Sequence, residues 1–288
     1  MFSENESLDQ AIARNVRDAL FEDLGRGDWT ANLVPAHQTA HARLIVREQA
    51  VLCGTAWFDA VIHALDRQAR IHWLFSEGDR MASDSLVCEI TANARALLSA
   101  ERPAMNFLQT LSATATTTRR YVEAIAGASP NPKGCAILDT RKTIPGLRQA
   151  QKYAVRVGHG QNQRIALWDG ILIKENHIAA AGSIAAVLAA ANLLNAGVDV
   201  QIEVESLAEL QEAIDHGAKS ILLDNFSLDQ MREAVKLTTG RALLEASGGV
   251  TQDQLRAIAA TGVDRISIGK LTKDIQAIDY SMRIDRIN

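Results

Sequence analysis

The chain has 288 residues, of which 47% are hydrophobic and 22% charged, with 34 acidic residues against 30 basic ones and a formal net charge of −4. That length carries one large α/β domain or two smaller ones, and the composition excludes general disorder, collagen and coiled-coil classes. The slightly acidic balance gives no support to wholesale binding of nucleic acid or an anionic membrane, so any anion site must be local.

The opening MFSENESLDQ is polar and acidic, without the basic and apolar stretches of a secretory signal. A helical pattern covers Leu8 to Leu24, and strand-like runs cover Ala42 to Arg47 and Ser85 to Ile90, so the first third reads as α+β. A long helical pattern follows from Ser99 to Ala126, in which Pro103 fits only near the first turn, where its missing N–H would be unbonded anyway. The loop GASPNPKG (127–134) ends it. Cys53, Cys88 and Cys135 are odd in number, widely spaced and without a CxxC pair, which predicts reduced thiols and a cytoplasmic protein rather than a disulfide framework or zinc site.

Beyond the loop, short apolar runs alternate with helical segments: Cys135 to Thr140, Ile171 to Glu175, Val198 to Glu205, Ser220 to Asp224, Ala242 to Ala246 and Arg265 to Gly269. Fully apolar strands separated by amphipathic helices predict a parallel sheet, and about six such units favour an α/β barrel over a doubly wound sheet. The Ala- and Leu-rich stretch Ile178 to Gly197 is nearly long enough to cross a bilayer, but polar and Gly interruptions make it a buried helix with Ser183 as N-cap.

The predicted strands end in DTRK (Asp139 to Lys142), KENH (Lys174 to His177), EVE (Glu203 to Glu205), LDN (Leu223 to Asn225), EASGG (Glu245 to Gly249) and GK (Gly269, Lys270). A parallel barrel carries its active site on that rim, so residues distant in sequence can converge on one ligand. Arg141, Lys142, Arg164 and Lys174 make the rim cationic, and this mixture of planar forks and movable point charges suits a ligand with several anionic groups. Arg148, Lys152 and Arg156, spaced four apart, read as a solvated helix face. The glycines after Ser247, with Thr251 as a cap behind them and Gly269 closing the cradle, suit a phosphate. Glu203 and Asp224 can hold Mg²⁺ and ribose hydroxyls, stabilise positive charge on a sugar carbon, or pair structurally with Arg141 or Lys174. The chain has no HExxH, Walker A, GxGxxG or nucleophilic triad pattern, whereas Lys174 or Lys270 leaves a Schiff base open.

The ordered set EDLGRGDWT (22–30), ERPAMNFLQTLSATAT (101–116), DTRKTIPGLR (139–148), KYAVRVGHG (152–160), LIKENHI (172–178), IEVE (202–205), LLDN (222–225), LEASGGV (244–250) and GVDRISIGKLT (262–272) resembles the quinolinate phosphoribosyltransferase family over nearly the whole chain. The resemblance implies an N-terminal α/β sandwich over 1–116, completed by 275–288, and an α/β barrel over 117–274. It implies a carboxylating nicotinate-nucleotide pyrophosphorylase, a pentosyltransferase that converts quinolinate and phosphoribosyl pyrophosphate to nicotinate mononucleotide, pyrophosphate and CO₂ with Mg²⁺ in NAD synthesis. It also implies a homodimer with shared sites.

By motif position, Arg102 would reach the partner subunit's quinolinate, and Arg141, Arg164 and Lys174 would hold the carboxylates, assisted by Thr140. Lys142, Glu203 and Asp224 would contact phosphoribosyl pyrophosphate or its metal, while Ser247, Gly248 and Gly269 would bind the 5′-phosphate. Two positions depart from the family pattern. Gln163 stands where many members have histidine, with His159 as a candidate to compensate, and the ending GKLTKD, which contains Lys270, departs from the more usual small residue and histidine. A lysine Schiff-base lyase, a noncatalytic anion-binding relative and a molybdenum-transport-associated relative with another aromatic acceptor are the alternatives.

Overall fold

The computed structural model describes residues 5–288, so the first four residues of the expected N-terminal domain lie outside it. In chain order the elements are α1 (Leu8–Leu24), β1 (Thr39–Val46), β2 (Ala50–Val51), α2 (Thr55–Leu65), β3 (Arg70–Trp73), β4 (Arg80–Met81), β5 (Leu86–Asn93) and α3 (Ala94–Ala124). There follow β6 (Ala136–Leu138), α4 (Arg148–Val157), β7 (Gly170–Ile173), α5 (Glu175–Ala181), α6 (Ile184–Leu193), β8 (Asp199–Val204), α7 (Leu207–Asp215) and β9 (Ser220–Asp224). The last are α8 (Leu228–Thr238), β10 (Leu243–Ser247), α9 (Leu255–Ala259), β11 (Arg265–Ser267), α10 (Lys270–Lys273) and β12 (Tyr280–Ile287).

Two compact units result. The first contains the chain up to Arg119, Thr143–His159 and Thr272–Asn288. Its main sheet is antiparallel in the order β12-β1-β5-β3. Alternation along β1 puts Ala40, Ala42, Leu44 and Val46 on one buried face, where they join Trp57, Phe58, Val61 and Ile62 of α2 and Leu97, Leu108 and Leu111 of α3 in one apolar core. Pro103 lies well inside α3 rather than in a first turn, because the helix starts five residues before Ser99, directly after β5. Asn93 permits this early start, since its Oδ1 accepts from the backbone N–H groups of Arg95 and Ala96 and caps the helix.

The structure divides the chain differently from a cut at 116 and 274, because Thr143–His159 belongs to the first unit. Ala150 and Ala154 of α4 are fully buried in that unit's core. Gln151 ties the segment in through its Oε1, which accepts from Ile144 N–H, and its Nε2, which donates to the Thr272 carbonyl. The expected solvated face is therefore overturned at its centre and start, where Lys152 is 0% exposed and Arg148 is half-buried with its Nε on Thr143 Oγ1, while Arg156 is exposed as expected and lies over the Tyr153 ring.

The second unit contains Arg120–Lys142 and Gly160–Leu271. Its six strands are all parallel in the order β6-β11-β10-β9-β8-β7, which is barrel order, with the first strand beside the last. Among the described residues β6 and β7 are not paired; Leu138 of β6 instead makes a single parallel bridge to Gln161, in the connection that precedes β7. The chain linking those two strands passes through the first unit as α4, so no neighbouring strand pair is formed there.

The stretch expected as one buried helix is two, α5 and α6, bent by 92° at Gly182 and Ser183. Ser183 does cap α6, accepting from Ala186 N–H. Only Ile184, Leu188 and Ala191 of the pair are buried, because a helix packs just one side against its neighbours, whatever the composition of the other. No single helix among the described residues is long and apolar enough to cross a membrane.

Candidate active site

Parallel strands deliver their carboxyl ends to one edge, and β6 to β11 therefore place the expected rim residues on the same side of the second unit. Thr140, Lys142 and Gly269 meet there. Thr140 Oγ1 accepts from Lys142 N–H at 3.1 Å, and a Cβ on Gly269 would lie 3.0 Å from Lys142 Cδ and 3.5 Å from Thr140 Oγ1. A side chain at Gly269 would oblige the flexible Lys142 side chain to give by a few tenths of an ångström, so glycine leaves that approach open.

Asp224, Ser247 and Gly248 form a second group. Asn225 Nδ2 donates to Asp224 Oδ2 at 2.9 Å and Asn225 N–H to the Ser247 carbonyl at 3.1 Å. Gly248 has φ +102°, and a Cβ there would fall 2.1 Å from Asn225 Oδ1. The left-handed backbone and the lack of space together require glycine. Behind it the chain enters a short 3₁₀ turn, Gln252–Gln254, before α9, with Thr251 N–H donating to Gln254 Oε1.

Lys174 and Glu203 form a third group, an ion pair of 2.8 Å between Nζ and Oε2. Of the pairings open to Glu203, this is the one adopted. A Schiff-base role for Lys174 would have to break it. Lys270 is exposed at the start of α10.

Arg141 and Arg164 are near enough to influence each other. Burial first, and the neighbouring Arg141 charge second, lower the proton affinity of Arg164 below the ordinary arginine value. Arg164 Nη1 donates to the Gly170 carbonyl at 3.0 Å, at the amino end of β7. It lines a cavity of about 640 Å³ with Asp169, Asp199, Gln201, Ser220 and Arg265. Lys174, Glu203, Asp224 and Ser247 are not among the lining residues, so Arg164 is turned toward the opposite end of the strands from those groups. Arg102 belongs to the first unit and is exposed on α3.

Residue patterns alone did not show what lies beneath the rim. Asp139 is fully buried; its Oδ1 accepts from Gln163 N–H at 2.9 Å and its Oδ2 from Asn162 Nδ2 at 2.6 Å. Gln163 Nε2 donates to Gln201 Oε1 at 2.8 Å, and Gln201 Nε2 donates to Glu245 Oε2 at 2.9 Å. Glu245 is 0% exposed, with Arg265 Nε 3.7 Å from the same oxygen. Glu245 thus lies below the rim instead of on it, and Gln163 finds its partner in Gln201. His159, expected as a substitute for the missing imidazole, is in the first unit at φ +68°, where burial and then Arg119 and Arg80 lower its pKa. The available signal was a glutamine and a glutamate in the middle of otherwise apolar strands, DVQIEV and LLEAS.

Among the described residues no three His, Cys, Asp or Glu side chains cluster as a metal cage. Glu203 and Asp224 stand on the adjacent strands β8 and β9, a donor set that suits Mg²⁺ only if substrate oxygens and water complete the shell.

Comparison with known proteins covers nearly all of the chain. The family described as "Quinolinate phosphoribosyl transferase, N-terminal domain" matches residues 28–112, and its C-terminal domain matches residues 114–283. The chain is 38% identical over 268 residues to a "Probable nicotinate-nucleotide pyrophosphorylase [carboxylating]" of Bacillus subtilis, covering 93% of this chain and 91% of that one. It is 37% identical over 282 residues to the Mycobacterium leprae protein named as the same enzyme, covering 94% and 96% respectively. The solved nicotinate-nucleotide pyrophosphorylase of Francisella tularensis superposes with TM-score 0.92 at 43% identity, over 98% of both chains.

Proposed function

The chain belongs to the quinolinate phosphoribosyltransferase family, and from that membership we propose that it transfers phosphoribosyl from phosphoribosyl pyrophosphate to quinolinate, releasing pyrophosphate and CO₂ to give nicotinate mononucleotide. The observation that carries the reading is the rim, where cationic, acidic and glycine-backed groups face one edge of a parallel sheet: Lys174 with Glu203, Thr140 and Lys142 with Gly269, and Asp224 with Ser247 and Gly248.

Direct attack by a pyridine nitrogen on the anomeric carbon needs no deprotonation, so orientation and charge stabilisation must supply the rate. Arg141 and Lys174 bind and orient the two carboxylates, with Thr140 assisting, and Arg164 joins them only by leaving the Gly170 carbonyl. Glu203 and Asp224 face the sugar, where a carboxylate stabilises positive charge on the carbon losing pyrophosphate. Lys142 neutralises phosphate charge. Ser247, Gly248 and Gly269 offer the hydroxyl and close backbone that a terminal phosphate fits. Glu203 and Asp224 would help hold Mg²⁺, which when bound supplies positive charge to offset that of the departing pyrophosphate. After transfer the positive charge of the quaternary ring nitrogen stabilises the electron pair that loss of CO₂ leaves on the adjacent ring carbon, and that carbon takes a proton from water, so decarboxylation needs no electron sink from the protein.

The working unit is a homodimer in which the exposed Arg102 completes the partner's site. It acts in a reducing cytoplasm. Cys53, Cys88 and Cys135 are outside disulfides, and burial raises the pKa of each, that of Cys135 to about 12, which makes them structural thiols.

The test is release of labelled CO₂ from quinolinate, with nicotinate as competing acceptor. Release that requires phosphoribosyl pyrophosphate and matches pyrophosphate formed supports the reading. Release without it, or covalent trapping by borohydride, would replace it with the lyase reading. For the dimer, Arg102→Ala and Arg141→Ala, each deficient alone, should regain activity when mixed, since each hybrid restores one intact site. No recovery despite demonstrated subunit exchange rejects the shared site.

A further inference from the structure

Asn225, the residue that follows β9, stands between a rim carboxylate and a glycine turn and touches both. Its Nδ2 donates to Asp224 Oδ2 at 2.9 Å, and its backbone N–H donates to the Ser247 carbonyl at 3.1 Å. The second bond extends the β9–β10 ladder one step beyond its last pair, Asp224 with Ser247. A Cβ on Gly248 would fall 2.1 Å from Asn225 Oδ1 and 2.8 Å from its Cγ, so the Asn225 amide fills the place where a side chain at 248 would stand.

Chemistry fixes which end of that amide faces which neighbour. An ionised carboxylate only accepts hydrogen bonds, so the NH₂ turns to Asp224 and the oxygen to Gly248. Local backbone makes the reach possible. Asn225 has φ +57°, in the left-handed region that asparagine enters more readily than most residues with a side chain. In a continuing strand residue 225 would point to the opposite face from Asp224; leaving the strand through a left-handed residue, it meets the Asp224 carboxylate instead.

Asn225 is exposed, and polar contacts of exposed side chains add little to folding. What these contacts do fix is the offset between one carboxylate and one phosphate cradle. We propose that Asn225 is a positioning residue that holds the Asp224 carboxylate at a set distance from the Ser247–Gly248 turn, so that the two meet the sugar and the terminal phosphate of one phosphoribosyl group. This rests on the phosphoribosyl-transfer reading above. With Oδ2 tied to the Asn225 amide, Asp224 turns its other oxygen to the sugar. Groups held in place before the ligand arrives avoid the ordering cost on binding.

Asn225→Gly removes the amide and keeps the left-handed backbone, whereas Asn225→Asp keeps the shape and loses the donor beside Asp224. Asn225→Gly should lower kcat/KM for phosphoribosyl pyrophosphate about 10- to 100-fold, the loss of a hydrogen bond to a charged group, with KM for quinolinate within about 2-fold of wild type. Asn225→Asp should be impaired at least as much. Wild-type kinetics in either variant, or equal rises in both KM values, would overturn the proposal.

Calorimetric binding separates a spacer from a general loosening and needs no acceptor. Ribose 5-phosphate carries both the sugar and the terminal phosphate, whereas inorganic phosphate carries only the second. Asn225→Gly should weaken ribose 5-phosphate about 10-fold or more and inorganic phosphate by less than about 3-fold. Equal weakening of the two, or no weakening, rejects the spacer, as does a wild-type protein that fails to bind ribose 5-phosphate. A wild-type enzyme releasing no CO₂ from quinolinate would defeat the acceptor assignment, and the ribose 5-phosphate titration would then still decide the role of Asn225.

Discussion

The two units treat buried polar side chains in different ways. In the first, the polar side chains answer mostly to backbone: Asn15 donates to the Gly146 carbonyl, Thr116 accepts from Val51 N–H, Ser112 joins both backbone groups of Cys53, and Gln151 spans Ile144 and Thr272. In the second, Thr238 and Thr261 also donate to backbone carbonyls, but inside the barrel the buried Gln201 and Glu245 and the half-buried Gln163 and Arg265 answer chiefly to one another, ending with Arg265 Nη2 on Ser220 Oγ. Side chain to backbone bonds fasten loops and helix ends, which is a contribution to folding. A chain of side chains inside a barrel adds little that an apolar filling would not, and it specifies where particular groups stand. The first unit is thus built for cohesion and the second for placement.

Substitutions can break that contrast, beginning with the largest effect. Trp57→Ala empties a 0% exposed site in the first unit's core, where its ring packs 5.5 Å from that of Tyr153. It should cost about 3–5 kcal/mol of stability in denaturant titration, with KM values of the folded fraction unchanged. A shift in quinolinate KM would show that cohesion and placement are not separable. Arg141→Ala should do the reverse. It should leave the unfolding midpoint nearly unmoved and lower kcat/KM for quinolinate about 10- to 150-fold, the loss of charge-assisted contacts worth roughly 1.5–3 kcal/mol each.

Gly248→Ala sharpens the comparison, because it brings strain to the placing unit itself. A methyl group 2.1 Å from Asn225 Oδ1 at φ +102° forces local displacement costing about 1–3 kcal/mol, and KM for phosphoribosyl pyrophosphate should rise more than that for quinolinate. An unchanged KM would detach the loop from phosphate binding.

The smallest effect is one of pH in the first unit. Asp28 accepts from Ala31 and Thr30 N–H groups at 2.9 Å and from Ser99 Oγ at 2.8 Å. The Ala31 bond first, then that of Ser99, hold its carboxyl below the usual value. A lowered folded pKa means that the stabilisation is present above the unfolded value, about 4, and is lost as pH falls through the folded value. The melting-temperature gap between wild type and Asp28→Asn should therefore be constant from neutrality down to about pH 5 and close on further acidification. A gap that widens in acid would contradict the assignment.

Much of this was legible in the residues. Leu8–Leu24 emerges with the expected bounds, as does Ser220–Asp224, because amphipathic spacing and apolar runs flanked by turns are local signals. The rim residues Thr140, Lys142, Lys174, Glu203, Asp224, Ser247, Gly248 and Gly269 share one edge, as a parallel sheet requires. Three features were not legible. Thr143–His159 joins the first unit because Ala150 and Ala154 find their apolar partners there, and apolar residues do not say which core they will enter. The Ala-rich stretch is two mostly exposed helices, since composition reports hydrophobicity and not which face has a neighbour. Arg164 points to the Gly170 carbonyl because a long side chain chooses among acceptors that only the folded chain brings near.

The amino-acid order by itself determined the alternation of strand and helix, the parallel sheet, the family and the chemical types gathered at the strand ends, since each depends on neighbours within a few positions or on a motif read as a unit. The partners were decided only by the tertiary structure. Which carboxylate Lys174 takes, which unit claims α4, and how Gln163 reaches Glu245 through Gln201 depend on distances between strands that lie far apart along the chain. Hydrogen bonds and ion pairs act over a few ångströms, so their choice follows from packing and cannot precede it.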